Sequence, residues 1–349
     1  MKPGRRVKGK KREIKCIAWD LDNTVWEGVL LEGQAEQLRP GIPELIRTLD
    51  DRGILMSIAS RGDHELAMDR LKRFGLEEYF LYPQISWAPK STSVRAIADN
   101  LNIGRDALAF IDDDPFERDE VATTLPEVFC IDAAEIDSLA DLPEMNPTYV
   151  TTDSRRRRSM YRSEIKRQEV EAALPATEFL ASLRMIFTVA EAGEDDLARV
   201  EELTVRTNQL NSTGYTYSFE ELDAFRRSDR HKLLVAGLDD RYGSYGKIGV
   251  ALAEMREQDW LIKLLLMSCR VMARGVGTVM LSHVLILAAA QGKPVRAEFL
   301  RTGRNRMMYL TFKLAGFREV DRRDGVAVLE HDLDAIDPYP DHVVVRAPS

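Results

Sequence analysis

Cysteine is scarce in this sequence of 349 residues, which has only Cys16, Cys130 and Cys269. Three cysteines at such wide spacing are too few for a disulfide framework or for a structural zinc site. Long apolar runs are lacking too. The longest, at residues 276–290, is interrupted by a serine and a histidine and is too short to cross a bilayer. These absences favour a reduced, soluble protein that has no membrane partner.

A surplus of basic residues is also missing. The chain has 49 Lys and Arg against 57 Asp and Glu, a net charge of -8. An acidic chain of this kind argues against nucleic acid as a partner. The first thirteen residues are rich in Lys and Arg, but no apolar segment follows them, so we see no secretory signal. We expect a cytoplasmic protein.

The length predicts two domains, at about 150 residues each. In the first half, short apolar runs alternate with stretches of helical period, which favours buried strands joined by helices in a parallel α/β sheet. The predicted strands are IKCIAWD, GILMSIAS, ALAFIDDD and EVFCID, and the predicted helices span residues 43–52, 63–74, 91–101 and 115–125. Functional groups of such a sheet lie at the carboxyl ends of its strands.

The second half has a different order of elements. We predict strands at residues 185–190, 231–237, 247–255, 260–269 and 295–300, and two more around the turn Asp324-Gly325. Helices are predicted at residues 195–209, 219–227, 277–291 and 304–314. The expected division is a basic tail (1–13), a first domain (14–140), a charged linker (141–178), a second domain (179–335) and a C-terminal tail (336–349). The run Arg155–Arg158 is either a solvated linker helix or a contact for an acidic partner.

Polar side chains follow several predicted strands at the point where each ends. Asp20 and Asp22 come directly after the first strand, and Asp112 ends a later one. Neighbouring carboxylates repel each other unless a cation shares them, and Mg²⁺ binds one or two carboxylates with phosphate and water. Ser60 ends the second strand and Lys90 opens a helix. A hydroxyl, an ammonium and a helix N-terminus are groups that bind phosphate. Each could be a turn, a cap or a surface residue alone, but together they predict a phosphoryl site.

The residues Asp20-Leu-Asp22-x-Thr24, Ser60, Lys90 and Asp112-Asp113 resemble the motifs of the haloacid dehalogenase (HAD) superfamily of aspartyl phosphatases. The resemblance implies that Asp20 attacks phosphorus and that Asp22 protonates the leaving oxygen and later activates water. It implies phosphate binding by Thr24, Ser60 and Lys90. It also implies Mg²⁺ on Asp20, the Asp22 backbone carbonyl and Asp112, with Asp113 behind them.

The spacing between these motifs leaves no room for a lid. About fifteen residues separate Thr24 from the first helix and about thirty separate Ser60 from Lys90, less than a separate domain needs. An uncovered site leaves the reacting phosphoryl group exposed to water. The second domain or a large protein-borne substrate is therefore expected to cover it.

The element order of the second half resembles the GNAT acyltransferase fold. The turn with Arg274, Gly275 and Gly277 lies where that family binds a pyrophosphate through backbone N–H groups. Val279 stands where the family pattern has Gly or Ala. Cys269, at the predicted strand end before the turn, is either a buried hydrophobe or a nucleophile activated by its basic surroundings. The loop with Asn208 and Asn211 suits a small hydroxylated ligand or an ordered turn. Asn305 is an anion-binding or a first-turn residue, and His283 is predicted to be packed.

Four segments carry a resemblance over nearly the whole chain to the FkbH-like family of polyketide biosynthesis. They are Trp19–Gly28, Phe110–Arg118, Arg206–Gly214 and Ser268–Val271. The resemblance implies a glyceryl transferase and phosphatase that takes 1,3-bisphosphoglycerate and loads D-glycerate onto the phosphopantetheine thiol of an acyl carrier protein. Our hypothesis is that Cys269, beside the predicted acyl-binding turn, carries the acyl group as a thioester. Asp114 stands where many relatives have Asn.

Two alternatives stay open from the sequence. One is a small-molecule phosphatase fused to an acetyl-CoA-dependent N-acetyltransferase, which the Arg274 turn favours and Val279 opposes. The other is a second domain that only docks a carrier protein. The sequence does not reveal the natural product or the order of the two steps.

Overall fold

The computed structural model describes residues 12–35, 37–207 and 209–347, without the side chains of Cys269 and Ala273. The chain divides into two compact units, and the boundary falls between Arg162 and Ser163. Within the described residues, no helix is both long and apolar enough to cross a membrane. Each unit has its own hydrophobic core.

The first unit is built on a five-stranded parallel sheet in the order β3-β2-β1-β4-β5. Its strands are β1 (Cys16–Trp19), β2 (Leu55–Ser60), β3 (Gln84–Ile85), β4 (Leu108–Asp112) and β5 (Phe129–Asp132). Its main helices are α1 (Ile42–Asp51), α2 (His64–Arg73), α3 (Lys90–Leu101) and α4 (Pro115–Thr124). Strands β1, β2 and β4 are buried along their whole length, as expected of a sheet covered on both faces. The predicted parallel α/β fold is confirmed.

Local sequence explains where the helices of the first unit begin. The side chain of Asp63 accepts a hydrogen bond from the Leu66 amide, and that of Asp114 accepts one from the Phe116 amide, so each caps the helix that follows it. Pro115 occupies the first turn of α4, where a missing N–H costs nothing. These caps set the strand-to-helix turns that form the sheet edge.

The polar segment between the two cores is helical. It contains α5 (Thr152–Arg155), α6 (Arg157–Ala173) and α7 (Ala176–Leu183). The Arg158 guanidinium lies 3.1 Å from Asp50 and 3.0 Å from Glu78, and it stacks over the Tyr79 ring at 4.2 Å. The linker helix therefore exists, but this arginine packs on the first unit instead of facing solvent or an acidic partner.

The second unit has an eight-stranded sheet in the order β11-β12-β10-β9-β8-β7-β6-β13. Its strands are β6 (Met185–Glu191), β7 (His231–Asp240), β8 (Gly243–Met255), β9 (Trp260–Met267), β10 (Val295–Leu300), β11 (Arg318–Arg323), β12 (Val326–His331) and β13 (Val343–Arg346). Its remaining helices are α8 (Glu194–Arg206), α9 (Phe219–Arg226), α10 (Val276–Ala289) and α11 (Arg306–Leu314). This strand order is that of the expected GNAT-like α/β domain.

Two details differ from the expectation. β9 ends at Met267, so Cys269 does not end a strand but opens a short 3-10 helix, Cys269–Arg274. Strand β13 lies inside the segment expected to be a tail and pairs in parallel with β6, from Val343↔Met185 to Arg346↔Thr188. A strand of four residues is too short to show an alternating pattern in the sequence. Its pairing with β6, more than 150 positions away, has no local sequence signal.

Candidate active site

Four of the predicted site residues meet at the carboxyl edge of the first sheet. Asp20 follows β1, Ser60 ends β2, Asp112 ends β4, and Lys90 opens α3. Strands β2, β1 and β4 are neighbours and run in the same direction, so their last residues lie side by side. All four side chains are buried. The structure thus brings together residues that are up to 92 positions apart in the chain.

Lys90 is the centre of this cluster. Its ammonium donates to Asp20 Oδ1, to Asp112 Oδ2 at 2.9 Å and to the Ala59 carbonyl at 3.0 Å. The Ser60 hydroxyl is hydrogen bonded to Asp20. A single cation thus joins two buried carboxylates that come from different strands.

The burial of this cluster alters its titration. Burial raises the pKa of Asp20 above the ordinary aspartate value, and the charge of Asp112 adds to this, while Lys90 opposes it. Burial by itself lowers the pKa of Lys90, but Asp20 and Asp112 outweigh it, and the pKa of Lys90 is raised. The lysine therefore stays charged, and the site holds more carboxylate than one ammonium neutralises.

The carboxylates fit a divalent cation. Asp20, Asp112 and Asp113 each offer one oxygen, and these atoms all lie within 4.8 Å of one another. Asp112 Oδ1 accepts a hydrogen bond from the Asp114 amide at 2.9 Å, which orients the carboxylate. Burial, with Asp112 close by, raises the pKa of Asp113. Hard oxygen ligands with surplus negative charge are what Mg²⁺ or a similar ion binds.

Asp22 lies apart from this carboxylate cluster. Its Oδ1 accepts from the Trp26 indole N–H at 2.7 Å and from the Leu30 amide at 3.0 Å. Asp22 and Ser60 both line an open cleft of about 240 Å³. Its carboxylate is thus oriented by two donors at the lining of an open cleft.

Thr24 is fully buried, and its hydroxyl has no hydrogen-bond partner among the described residues. Buried hydroxyls usually have a partner, so this one is an open position for a ligand or water. Thr24 remains a predicted phosphate-binding residue.

Sequence reasoning missed an ion pair at this edge. Arg61, which follows Ser60 and lines the cleft, lies 3.0 Å from Glu117 in α4. Glu117 is buried, and burial raises its pKa. An arginine directly after the strand-ending serine was the signal available in the sequence. Arg61 adds a cation to the lining of the cleft.

The second unit uses two of its predicted binding residues for its own structure. The side chains of Asn211 and Asn305 are fully buried and bond to backbone groups, as described below. The binding role predicted for both is therefore not supported by their position. Asn208 and the side chain of Cys269 lie outside the described residues.

The predicted anion-binding turn is present, but its arginine is engaged elsewhere. The Arg274 guanidinium lies 2.9 Å from Glu164 and 3.1 Å from Glu171, both in α6. These carboxylates neutralise its charge, and the predicted substrate contact of Arg274 stays a prediction. Gly275 has φ +72 and forms the N-cap of α10, with Gly277 in the first turn. Only a residue without Cβ adopts this backbone readily.

His283, Cys16 and Cys130 behave as packing residues. His283 is buried in α10 with its Nδ1 3.1 Å from the Tyr339 hydroxyl, and burial lowers its pKa. Cys16 is buried in β1, and burial raises its pKa far above the ordinary thiol value. Cys130 in β5 is half-buried, and burial raises its pKa to about 11. Neither thiol is activated as a nucleophile.

Comparison with known proteins finds matches to parts of the chain. The family model of haloacid dehalogenase-like hydrolases matches residues 27–117, a range that contains Ser60, Lys90, Asp112 and Asp113. The chain is similar to the N-terminal part of a Bacteroides fragilis protein that contains a phosphatase domain and was solved with Mg. The two share 28% identity over 39% of this chain and 40% of that one, with a TM-score of 0.35. This chain therefore spans less than half of that structure. No curated protein matches it significantly.

Other matches are acetyltransferases. One is the ribosomal-protein-S18-alanine N-acetyltransferase from Escherichia coli, with 14% identity over 41% of this chain and 92% of that one, TM-score 0.34. Another is the GNAT domain of S. lividans PAT, with 20% identity over 41% and 88%, TM-score 0.34. The strand orders and the carboxylate site carry the conclusion: a HAD-like hydrolase domain is followed by a domain of the GNAT-like acyltransferase fold.

Proposed function

We propose that this chain is a glyceryl transferase and phosphatase. It takes 1,3-bisphosphoglycerate, removes phosphate at the Asp20 site, and loads a D-glyceryl unit onto the phosphopantetheine thiol of an acyl carrier protein. The observation that carries the phosphatase half is the junction of Asp20 and Asp112 through Lys90, beside a cleft that Asp22 and Ser60 line. The transferase half rests on the resemblance of the sequence and on the fold of the second unit.

In the phosphatase step, Asp20 attacks phosphorus and forms an aspartyl phosphate while the ester oxygen leaves. Asp22 gives that oxygen its proton and then takes one from the water that hydrolyses the intermediate. Its hydrogen bonds from Trp26 and Leu30 hold the carboxylate in one orientation for both transfers. Lys90, Ser60 and Thr24 hold the phosphoryl oxygens.

Asp20 and Asp112 would hold Mg²⁺, with Asp113 and the Asp22 backbone carbonyl near it. When bound, the ion neutralises the negative charge that two carboxylates and a phosphate bring together. Lys90 alone supplies one positive charge to that group, which is why a further cation is needed.

The acyl step needs no ATP, because the carboxyl phosphate of the substrate is already an activated acyl group. The Cys269 thiolate attacks its carbonyl carbon, the carbon–oxygen bond to phosphate breaks, and phosphate leaves with the electron pair. The carrier thiol then attacks the thioester, and the Cys269 sulfur leaves as thiolate.

A protein-borne partner suits the surroundings of the phosphatase cleft. Leu31, which lines the cleft, is exposed. Three more large apolar side chains are exposed in the segments that follow β2, β3 and β4: Leu66, Trp87 and Phe116. Trp87 is 70% exposed and Phe116 is 69% exposed. Exposed apolar residues that follow site-forming strands are typical of a surface that another macromolecule covers.

The experiment is intact mass spectrometry of a holo carrier protein incubated with the full chain, Mg²⁺ and 1,3-bisphosphoglycerate. The proposal predicts a mass gain of one glyceryl unit. Asp20→Asn is expected to stop phosphate release, and Cys269→Ala to stop loading, whereas the exposed control Asp51→Asn does neither. Loading at the normal rate by Cys269→Ala would eliminate the covalent acyl-enzyme. Acetylation of a small amine from acetyl-CoA, without carrier modification, would replace the proposal with the acetyltransferase alternative.

A further inference from the structure

Strands β9 and β10 pair over only three residues each. The parallel register runs from Val295↔Trp260 to Ala297↔Ile262 and then stops, although both strands continue. The remaining residues of β9 on this side need other hydrogen-bond partners, because unpaired backbone groups in a buried sheet are costly.

The segment Leu210–Ser212 supplies those partners. The Met267 amide donates to the Leu210 carbonyl at 2.8 Å, and the Ser212 amide donates to the Leu265 carbonyl at 2.9 Å. The Leu265 amide donates to the Ser212 hydroxyl at 3.0 Å. On the other side, the Leu300 amide of β10 donates to the Ser212 carbonyl at 2.9 Å. The segment is therefore bonded to both strands and fills the gap between them.

Asn305 fastens this segment. Its Nδ2 donates to the Asn211 carbonyl and to the Leu300 carbonyl, both at 2.9 Å, and its Oδ1 accepts the Thr302 amide at 3.0 Å. Asn211, Ser212 and Asn305 are all fully buried. The Asn305 side chain thus joins the inserted segment to the end of β10. Both of its N–H groups donate, and one of the two lone pairs on its oxygen accepts.

Without this segment, β9 would present an open edge beside β10. Such an edge binds extended chains that carry amides, because these chains add to the sheet like another strand. The pantetheine arm of coenzyme A is an extended chain with two amide groups. We infer that Leu210–Ser212 is a built-in strand that excludes coenzyme A and similar amide-linked thioester arms from the gap between β9 and β10. Asn305 is the positioning residue that keeps the gap filled, and Ser212 is the specificity determinant that occupies it.

This inference concerns the second unit alone and does not depend on the phosphatase proposal. It restricts the acyl donor to a molecule that does not need this gap, such as an acyl phosphate. It also requires a carrier's arm to reach the second unit without pairing with β9.

The test is amide hydrogen exchange on the full chain, with and without 1 mM coenzyme A or acetyl-CoA as probe. The amides of Leu265, Met267 and Leu300 should be protected to the degree of a central strand amide such as Val250, and neither probe should change them. Calorimetry should show no saturable binding of either probe. Loop-like exchange of these amides in the free protein, or protection that rises tenfold when a probe is added, would overturn the inference.

Variants separate the two roles. Asn305→Ala should speed exchange at Met267 and Leu300 by about tenfold, the effect of losing one or two hydrogen bonds, with Val250 unchanged. The exposed Lys313→Gln on the same helix is the matched control and should change nothing. If Asn305→Ala does not fold, Ser212→Ala keeps the backbone bonds and should speed exchange at Leu265 only. Unchanged exchange at these amides in both variants would refute the positioning role.

Discussion

Lys90→Met is the substitution that tests the candidate active site most directly. Met keeps most of the side-chain volume and removes the ammonium that joins Asp20 to Asp112. The two carboxylates are 6% and 1% exposed, so water does little to replace the lost charge. Removing one partner of a buried ion pair costs about 3–5 kcal/mol, and we expect a loss of that order in the free energy of unfolding at pH 8 without Mg²⁺.

The sign of the pH dependence follows from the raised pKa of Asp20. A carboxyl group whose pKa is higher in the folded than in the unfolded state destabilises the fold as pH rises through the interval between the two values. Lys90 lowers the pKa of Asp20, so its removal raises that pKa further and widens the interval. Below the unfolded pKa of aspartate, about 3.9, Asp20 is protonated in both the folded and the unfolded state, so Lys90 has less negative charge to neutralise. The difference between wild type and variant should therefore be largest at pH 8 and smaller at pH 4.5.

The assay is urea unfolding in EDTA at both pH values, with the exposed Lys72→Met as the matched control. Added Mg²⁺ should restore part of the stability of Lys90→Met, because the ion can neutralise the same carboxylates. A loss under about 1 kcal/mol at pH 8, the range of a surface ion pair, would refute the buried cluster. An equal loss at both pH values would refute the electrostatic explanation.

Three further outcomes are expected. Asp20→Asn should fold normally and lower phosphate release on the order of 10⁴-fold, as loss of a nucleophile does, and a loss under tenfold would contradict its role. Excess Mg²⁺ at 100 times its Kd should raise the free energy of unfolding by about 2.7 kcal/mol, measured by urea titration, and Asp112→Asn should reduce that gain. Arg158→Ala should cost about 1 kcal/mol through loss of Asp50 and the ring of Tyr79, measured against the exposed Arg156→Ala.

The strands and helices that the sequence predicted share one property: the pattern of apolar residues within each element is enough to identify it. β1, β2 and β4 are short and mostly apolar segments without a polar face, so the sequence alone indicated that both faces are covered. The carboxylate site followed from the same logic, because parallel strands place their carboxyl ends at one edge. The pairing of Arg61 with Glu117 was missed, since the position of Arg61 after the strand-ending serine does not show that a glutamate 56 positions away lies beside it.

The structure decided which polar residues are bonded to other parts of the fold. Asn211 and Asn305 look alike in the sequence as polar residues near a predicted binding turn, yet they are hydrogen bonded to each other's segments across 94 positions. Arg274 lies in a glycine-bearing turn, but Glu164 and Glu171 neutralise it. Strand β13 exists only because the edge of β6 accepts it.

The amino-acid sequence by itself determined the two α/β domains and the set of acidic and basic residues for a phosphoryl site, because strand ends and helix starts are specified by neighbouring residues. Only the tertiary structure decided that one lysine joins two carboxylates and that the chain fills its own gap between β9 and β10. Such contacts depend on hydrogen-bond partners that are distant in sequence, and a polar side chain has the same local pattern whether it binds a ligand or the backbone of another segment.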